Sequence, residues 1–241
     1  MEPTLVRDGG RLALKTDGDP AYGEPVFGWD LFACAVDLGI ARDPSGLAII
    51  NSRCEPAIGD RGFYLKEPHL TVLRCERLPS MQYTDLATMV ENVLNQPMLK
   101  DRTSLAIDAG GPGRAFSSML DERGIDHMRI QLHGGNQHTR DIQDGLRFEN
   151  VSKYLAVSNV NSDLFTGKLQ IADLGPDKVR ALKNELESVE VSVSPVGRHV
   201  VKQGDKTHHA DALMALVFAH YLVTHKDFGV HYGQRRLAGM F

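Results

Sequence analysis

Short apolar runs bounded by turn-forming residues dominate the first part of the chain. Residues 31–37 (LFACAVD) and 46–52 (GLAIINS) are two such runs, and a turn containing Gly, Pro and Asp separates them. Runs of this length between turn residues are typical of buried strands, and the short connection favours antiparallel pairing. A third run, 69–78 (HLTVLRCERL), extends the pattern. The sequence therefore predicts three strands in a meander.

Helical periodicity begins after this meander. In residues 83–96 the apolar positions recur at intervals of three and four, as on the buried face of a helix. The elements predicted beyond this helix are a strand at 103–109, a helix at 113–123, a strand at 128–132, a Gly- and His-rich loop at 133–145, helices around 149–167 and 176–187, strands at 189–194 and 198–203, and a last helix that is apolar from Leu213 onward.

This order predicts an α/β domain whose central mixed sheet is antiparallel in its first three strands, parallel afterwards, and flanked by helices. It matches the ribonuclease H-like fold better than a doubly wound nucleotide-binding fold, because the latter alternates strands with helices from the start. Residues 1–30 are rich in Gly, Pro and Asp, show little periodicity, and are predicted to be a linker or N-terminal arm. The predicted domain then spans 31–225, and a C-terminal tail spans 226–241.

Composition narrows the class of protein. The apolar fraction of 42% and the charged fraction of 24% are ordinary for a globular domain, and no apolar run approaches the roughly 20 residues of a membrane span. We therefore expect a soluble protein with no membrane partner. The N-terminus lacks the pattern of a secretory signal and the three cysteines form no close pair, which favours a reducing cytoplasm. A formal net charge of −4 argues against nonspecific coating of nucleic acid, but it allows an enzyme whose acidic site recruits metal ions.

Two aspartates stand where predicted strands end. Asp37 closes the run LFACAVD, and Asp108 closes LAID; in each case a glycine follows after one residue. Sites in open α/β sheets collect at the carboxyl ends of strands, and the glycines allow close approach of a phosphate or a metal. The alternative is that each aspartate only shapes a turn, a common role for Asp before Gly.

A third aspartate stands at the head of the last predicted helix. Asp211 shares a helical face with Met214 and Phe218, so it heads an apolar stripe, and His208 lies one turn earlier. The alternative is that Asp211 only complements the positive end of the helix dipole, an effect of roughly 0.3–1 kcal/mol. Packing of the apolar stripe on the sheet would instead carry Asp211 toward Asp37 and Asp108.

Three converging carboxylates would repel one another unless cations lay between them. Hard divalent ions prefer oxygen ligands, which favours Mg²⁺ or Mn²⁺ over zinc. Two such ions can activate water and stabilise the leaving oxygen of a phosphodiester. The chemistry predicted is metal-dependent hydrolysis.

Four segments together resemble a known family. AVDLGIARDPSGLAII, LAIDAGGPGRAF, GLRFENVSKYL and KQGDKTHHADALMAL are similar, in order and character, to the nuclease domain of the large terminase subunit of tailed bacteriophages. The resemblance covers about residues 31–225 and implies a ribonuclease H-like, RuvC-like fold. It also implies an endonuclease that cleaves double-stranded viral DNA concatemers during genome packaging in the cytoplasm of the infected bacterial host.

The resemblance also assigns residues and partners. It implies that Asp37, Asp108 and Asp211 bind the metal and act in catalysis, and that His208 matches a histidine found one turn before the last aspartate in some members. His208 would order a water, assist proton transfer or help to place a metal, or it is simply a partly solvated helix-start histidine. The implied partners are a terminase ATPase domain, the small terminase subunit and the portal protein.

The chain departs from full-length terminases in lacking a GxxxxGK[ST] phosphate-binding loop and room for the ATPase domain that precedes the nuclease. It is thus expected to be either an excised nuclease domain or a free-standing relative, and ATP-driven translocation is not assigned to it.

Two groups of cations are candidates for DNA phosphate contacts without base specificity. The first flanks the Gly-rich loop, and the second leads into the last helix; ordinary surface charge is the alternative for each member. These residues are Arg140, Arg147 and Lys153, then Arg198, Lys202 and Lys206.

Other functions remain open from the sequence. A RuvC-like junction resolvase would use the same acidic site but prefer four-way junctions. A packaging or docking module would carry the acidic cluster without cleaving DNA. An actin-like ATP-binding domain is suggested by VDLG and IDAGG, although such proteins normally need two domains.

Overall fold

A computed structural model of the chain describes residues 3–16, 25–39, 43–193, 199–203, 210–225 and 228. Its strands are β1 (Thr4–Asp8), β2 (Arg11–Lys15), β3 (Gly28–Asp37), β4 (Gly46–Cys54), β5 (Pro56–Gly59), β6 (Gly62–Leu65), β7 (His69–Arg77), β8 (Thr103–Asp108), β9 (Met128–His133), β10 (Thr139–Gln143), β11 (Leu146–Ser152), β12 (Leu169–Ile171), β13 (Val189–Val193) and β14 (His199–Gln203). Its helices are α1 (Tyr83–Leu94), α2 (Gly113–Glu122), α3 (Lys153–Phe165), α4 (Pro176–Glu187) and α5 (Asp211–Thr224).

A central mixed sheet organises the molecule. Its strand order is β10-β11-β9-β8-β3-β4-β7-β12, and the hairpin β1–β2 joins it through a short pairing of β2 with the start of β3. The meander β3–β4–β7 is antiparallel, whereas β3, β8, β9 and β11 run parallel. The carboxyl ends of β3, β8 and β7 therefore point to the same edge of the sheet.

Helices cover both faces of this sheet. The face that carries Ala35, Ala48 and Ala106 packs against α5, and α3 and α4 contribute to the same apolar cluster. The opposite face, with Val36 and Ile107, packs against α1 and α2. The small alanines on the first face allow α5 to lie close to the sheet, where most of its residues are fully buried. None of the helices in the described part of the chain combines the length and the apolar character required to cross a bilayer.

The central mixed sheet flanked by helices, as predicted from the sequence, is confirmed. Several local predictions were wrong. The predicted loop at 133–145 contains β10, and residues 149–152 belong to β11, so the helix predicted around 149–167 begins only at Lys153. The reason is that β10 is an exposed, polar edge strand without apolar alternation. The predicted N-terminal arm contains the hairpin β1–β2 and the start of β3; the division of the chain into arm, domain and tail stays a prediction.

Candidate metal-dependent active site

Two of the predicted aspartates lie side by side at the edge where β3 and β8 end. Val36 pairs with Ile107 in parallel register, so the next residues, Asp37 and Asp108, are neighbours. Asp108 is held by a hydrogen bond that the Gly110 N–H donates to its Oδ1 at 2.8 Å. Both carboxylates follow buried strand residues, and strand alternation places them on the same face as Ala35 and Ala106, toward α5.

Helix α5 brings the third aspartate to the same edge. Gly46, the first residue of β4, pairs with Asp37, and a Cβ at position 46 would collide with the carbonyl oxygen of Asp211. The start of α5 therefore rests directly on the backbone beside Asp37. Only glycine permits this approach, since any side chain at position 46 would occupy the space of the helix backbone.

The carboxylates of Asp108 and Asp211 act electrostatically on Asp37. Burial raises the pKa of Asp37 well above its usual range, and the nearby charges of Asp108 and Asp211 raise it further, while Lys153 opposes them. Burial also raises the pKa of Asp108, against the hydrogen bond from Gly110. Carboxylates that resist ionisation because of burial and like charges are characteristic of functional sites.

Two charged residues that the sequence analysis did not single out complete this edge. Arg77 ends β7 and pairs with Gly46, so it lies in the same row as Asp37 on the other side of the glycine. Its Nε lies 3.5 Å from Asp211 Oδ2. Glu185 of α4 is buried, and Arg77 Nη2 donates a hydrogen bond to its Oε1 at 3.0 Å. Like Asp37, Arg77 stands at the carboxyl end of a strand, so the sequence pattern that indicated Asp37 also indicates Arg77. Glu185 lies in a highly charged helix, where no sequence pattern distinguishes it from its neighbours.

One predicted DNA-contact residue lies next to the acidic edge. Lys153, the first residue of α3, is close enough to Asp37 to lower the pKa of that carboxyl. Arg140 and Arg147 lie elsewhere, on the hairpin β10–β11, and both Nε atoms donate to Oε1 of the buried Glu149, at 2.7 and 3.1 Å. Their charge is thus partly neutralised within the protein.

The remaining predicted residues are not placed by the structure. His208, Arg198 and Lys206 lie outside the described residues, and Lys202 is located only as a backbone position in β14. Their predicted roles stay predictions.

The donor set fits a hard divalent cation. Asp37, Asp108 and Asp211 offer only carboxylate oxygens, the ligands that Mg²⁺ and Mn²⁺ prefer. A cation would also relieve the like-charge repulsion that raises the pKa of Asp37. Within the described residues no three His, Cys, Asp or Glu side chains already close around one point, and Asp211 is instead in contact with Arg77. Cation binding would therefore require the three carboxylates to move closer together.

Comparison with known proteins identifies the fold. No protein-family model matches the chain, and no curated protein matches it by sequence. The structure is similar to the large terminase nuclease from thermophilic phage G20c with bound cobalt (TM-score 0.51, 16% identity, 89% of this chain and 88% of that chain) and to the same nuclease with bound magnesium (0.50, 15%, 89% and 88%). It is equally similar to the Thermus phage P74-26 large terminase nuclease domain (0.51, 16%, 90% and 87%). The chain thus has the fold of large terminase nucleases, and the predicted ribonuclease H-like fold is confirmed.

Proposed function

We propose that this chain is a divalent-metal-dependent endonuclease that cleaves double-stranded phage DNA during genome packaging. The observation that carries the proposal is the placement of Asp37, Asp108 and Asp211 at one sheet edge, where their charges oppose one another. The shared fold supports it, since the similar nucleases include structures with bound magnesium and bound cobalt.

In this proposal Asp37, Asp108 and Asp211 hold Mg²⁺ or Mn²⁺. When bound, two such ions supply an activated water and stabilisation of the leaving oxygen for phosphodiester hydrolysis. The protein's own contribution is to fix the carboxylates on rigid elements: β3 and β8 hold two of them, and the glycine at position 46 lets α5 hold the third. His208 would assist by ordering a water or moving a proton.

The DNA backbone would approach along the cations around this edge. Lys153 is the best placed of these, because it already acts on the charge of Asp37 and would lie near a phosphate bound there. Arg140 and Arg147, held by Glu149, would make contacts farther along the duplex, and Arg198, Lys202 and Lys206 would contribute from the segment before α5. The proposed partners are DNA, a terminase ATPase domain, the small terminase subunit and the portal protein, in the cytoplasm of the infected host.

The proposal is tested by nicking and linearisation of supercoiled plasmid with Mg²⁺, with Mn²⁺ or with EDTA. We expect cleavage by the wild type in either metal, none in EDTA, and a severe loss in Asp37→Ala, Asp108→Ala and Asp211→Ala. Asp177→Ala, which changes a highly exposed aspartate at the start of α4, is the matched control and should cut like the wild type. Equal cutting by all five proteins would refute the site.

Two further arms of this experiment separate the alternatives. A junction resolvase would cut a four-way junction in preference to linear duplex, whereas a packaging nuclease would not. A docking module would cut neither substrate in any metal.

A further inference from the structure

The first turn of α5 is capped by a residue from a neighbouring helix. Glu185 is 5% exposed, and its Oε2 accepts a hydrogen bond from the Leu213 N–H at 2.8 Å. Ala210, at the position before the helix, provides no side-chain cap. Glu185 thus satisfies one of the backbone donors that a helix leaves open at its N-terminus, two residues after Asp211.

The same carboxylate also engages Arg77. Arg77 Nη2 donates to Glu185 Oε1 at 3.0 Å, a normal hydrogen-bond length, whereas Arg77 Nε is 3.5 Å from Asp211 Oδ2, which is too long for a good hydrogen bond. Of these two described contacts, the guanidinium makes the stronger one with Glu185.

We propose that Arg77 and Glu185 are positioning residues for Asp211: Arg77 competes with the divalent cation for the Asp211 carboxylate, and Glu185 limits that competition by holding the guanidinium. This inference rests on the proposed function, because it takes Asp211 as a metal ligand. The physical reason is that one carboxylate oxygen cannot serve a guanidinium and a divalent cation at full strength together. The strength of the Arg77–Asp211 contact thereby sets how readily Asp211 turns to the metal.

The discriminating substitution is Glu185→Gln. The amide oxygen of glutamine can still accept from the Leu213 N–H, and Cys75 Sγ separately donates to the Ala212 carbonyl oxygen at 3.3 Å, so the start of α5 retains its supports. The amide carries no charge to hold Arg77, which then moves to Asp211. We expect the dissociation constant for Mn²⁺, measured by calorimetry or by the electron spin resonance of free Mn²⁺, to rise about tenfold, as is typical when a partner of a metal ligand is changed.

The matched control is Glu187→Gln, the same substitution two residues later on α4. Glu187 is exposed and paired at 3.7 Å only across the helix surface with Lys183, as far as the described contacts go. Its Mn²⁺ affinity should equal that of the wild type.

A rescue experiment separates competition from simple loss of structure. Adding Arg77→Gln to Glu185→Gln removes the competitor, so the double variant should recover most of the lost Mn²⁺ affinity. Arg77→Gln alone should bind Mn²⁺ at least as tightly as the wild type, and this single variant tests the proposal even if Glu185→Gln fails to fold. Circular dichroism and the melting temperature monitor the fold of each variant.

Two results would overturn the inference while leaving the proposed function intact. One is equal Mn²⁺ affinity in Glu185→Gln and Glu187→Gln. The other is weaker Mn²⁺ binding in Arg77→Gln than in the wild type, or in the double variant than in Glu185→Gln. Weaker binding of this kind would mean that Arg77 holds Asp211 in its binding orientation. Failure of the wild type to bind Mn²⁺ or to cut DNA would instead refute the proposed function, and this inference with it.

Discussion

Strand β3 carries a largely buried aspartate near each end, and the two have opposite surroundings. Asp30, near the start, forms ion pairs with Arg7 and with Arg102 Nη2 at 3.2 Å, and Asn51 Nδ2 donates to its Oδ1 at 2.7 Å. Asp37, at the other end, faces the carboxylates of Asp108 and Asp211, and burial together with these charges raises its pKa. The negative charge of Asp30 is thus balanced by nearby cations, whereas the negative charge of Asp37 is repelled by nearby carboxylates.

The difference separates a structural carboxylate from a functional one. Burying a charge is unfavourable, and in Asp30 two ion pairs and a hydrogen bond offset the loss of solvation. Asp30 therefore needs no ligand from outside the protein. Among the described residues, Lys153 is the one opposite charge that acts on Asp37, and the carboxylates around it favour a cation from outside. The comparison therefore predicts opposite effects of substitutions at the two ends.

The largest effect is expected from Asp37→Asn. Cleavage should fall by roughly 10²- to 10³-fold, the cost typical of losing one preorganised electrostatic contact in an active site. The melting temperature in EDTA should stay equal or rise, because the substitution removes one of the mutually repelling carboxylates. Plasmid cleavage and thermal unfolding measure the two quantities. A clear drop in melting temperature would show that Asp37 is a structural residue.

At the opposite end, Asp30→Ala should reverse this pattern. Removing the carboxylate leaves Arg102, which is 13% exposed, without its ion pair, so the free energy of unfolding should fall by about 3 kcal/mol. The rate of cleavage per folded molecule should not change, since Asp30 lies far along the strand from the acidic edge. Urea denaturation followed by cleavage assays below the unfolding transition tests both points. Lost cleavage in fully folded protein would contradict the comparison.

Gly46→Ala is expected to have a smaller effect, on both stability and Mn²⁺ binding. The added methyl group would overlap the Asp211 carbonyl, so the start of α5 must shift, at a cost of about 1–3 kcal/mol in stability. The same shift moves Asp211 and should weaken Mn²⁺ binding. Gly134→Ala places a methyl group in open space and serves as the control. Identical Mn²⁺ affinities in the two variants would mean that the site tolerates displacement of the helix.

The sequence predicts the elements of the fold that are almost wholly apolar. The runs around Asp37 and Asp108 are recognisable as strands because they are almost wholly apolar, and Asp211 is conspicuous because it heads an apolar helix. Strand β10 was missed because its residues are polar and its existence depends on pairing with β11. The role of Glu185 could not be predicted, since its burial depends on how α4 packs against the first turn of α5.

The contact between Gly46 and the start of α5 has a consequence for how the protein is made. Strands β3, β4 and β8 leave the ribosome well before α5, so a growing chain can place Asp37 beside Asp108 but has no Asp211 to add. Under the proposed function, an unfinished or truncated product is an inert nuclease. Under that proposal the acidic site is complete only once α5, the last of the described helices to be synthesised, docks on the sheet.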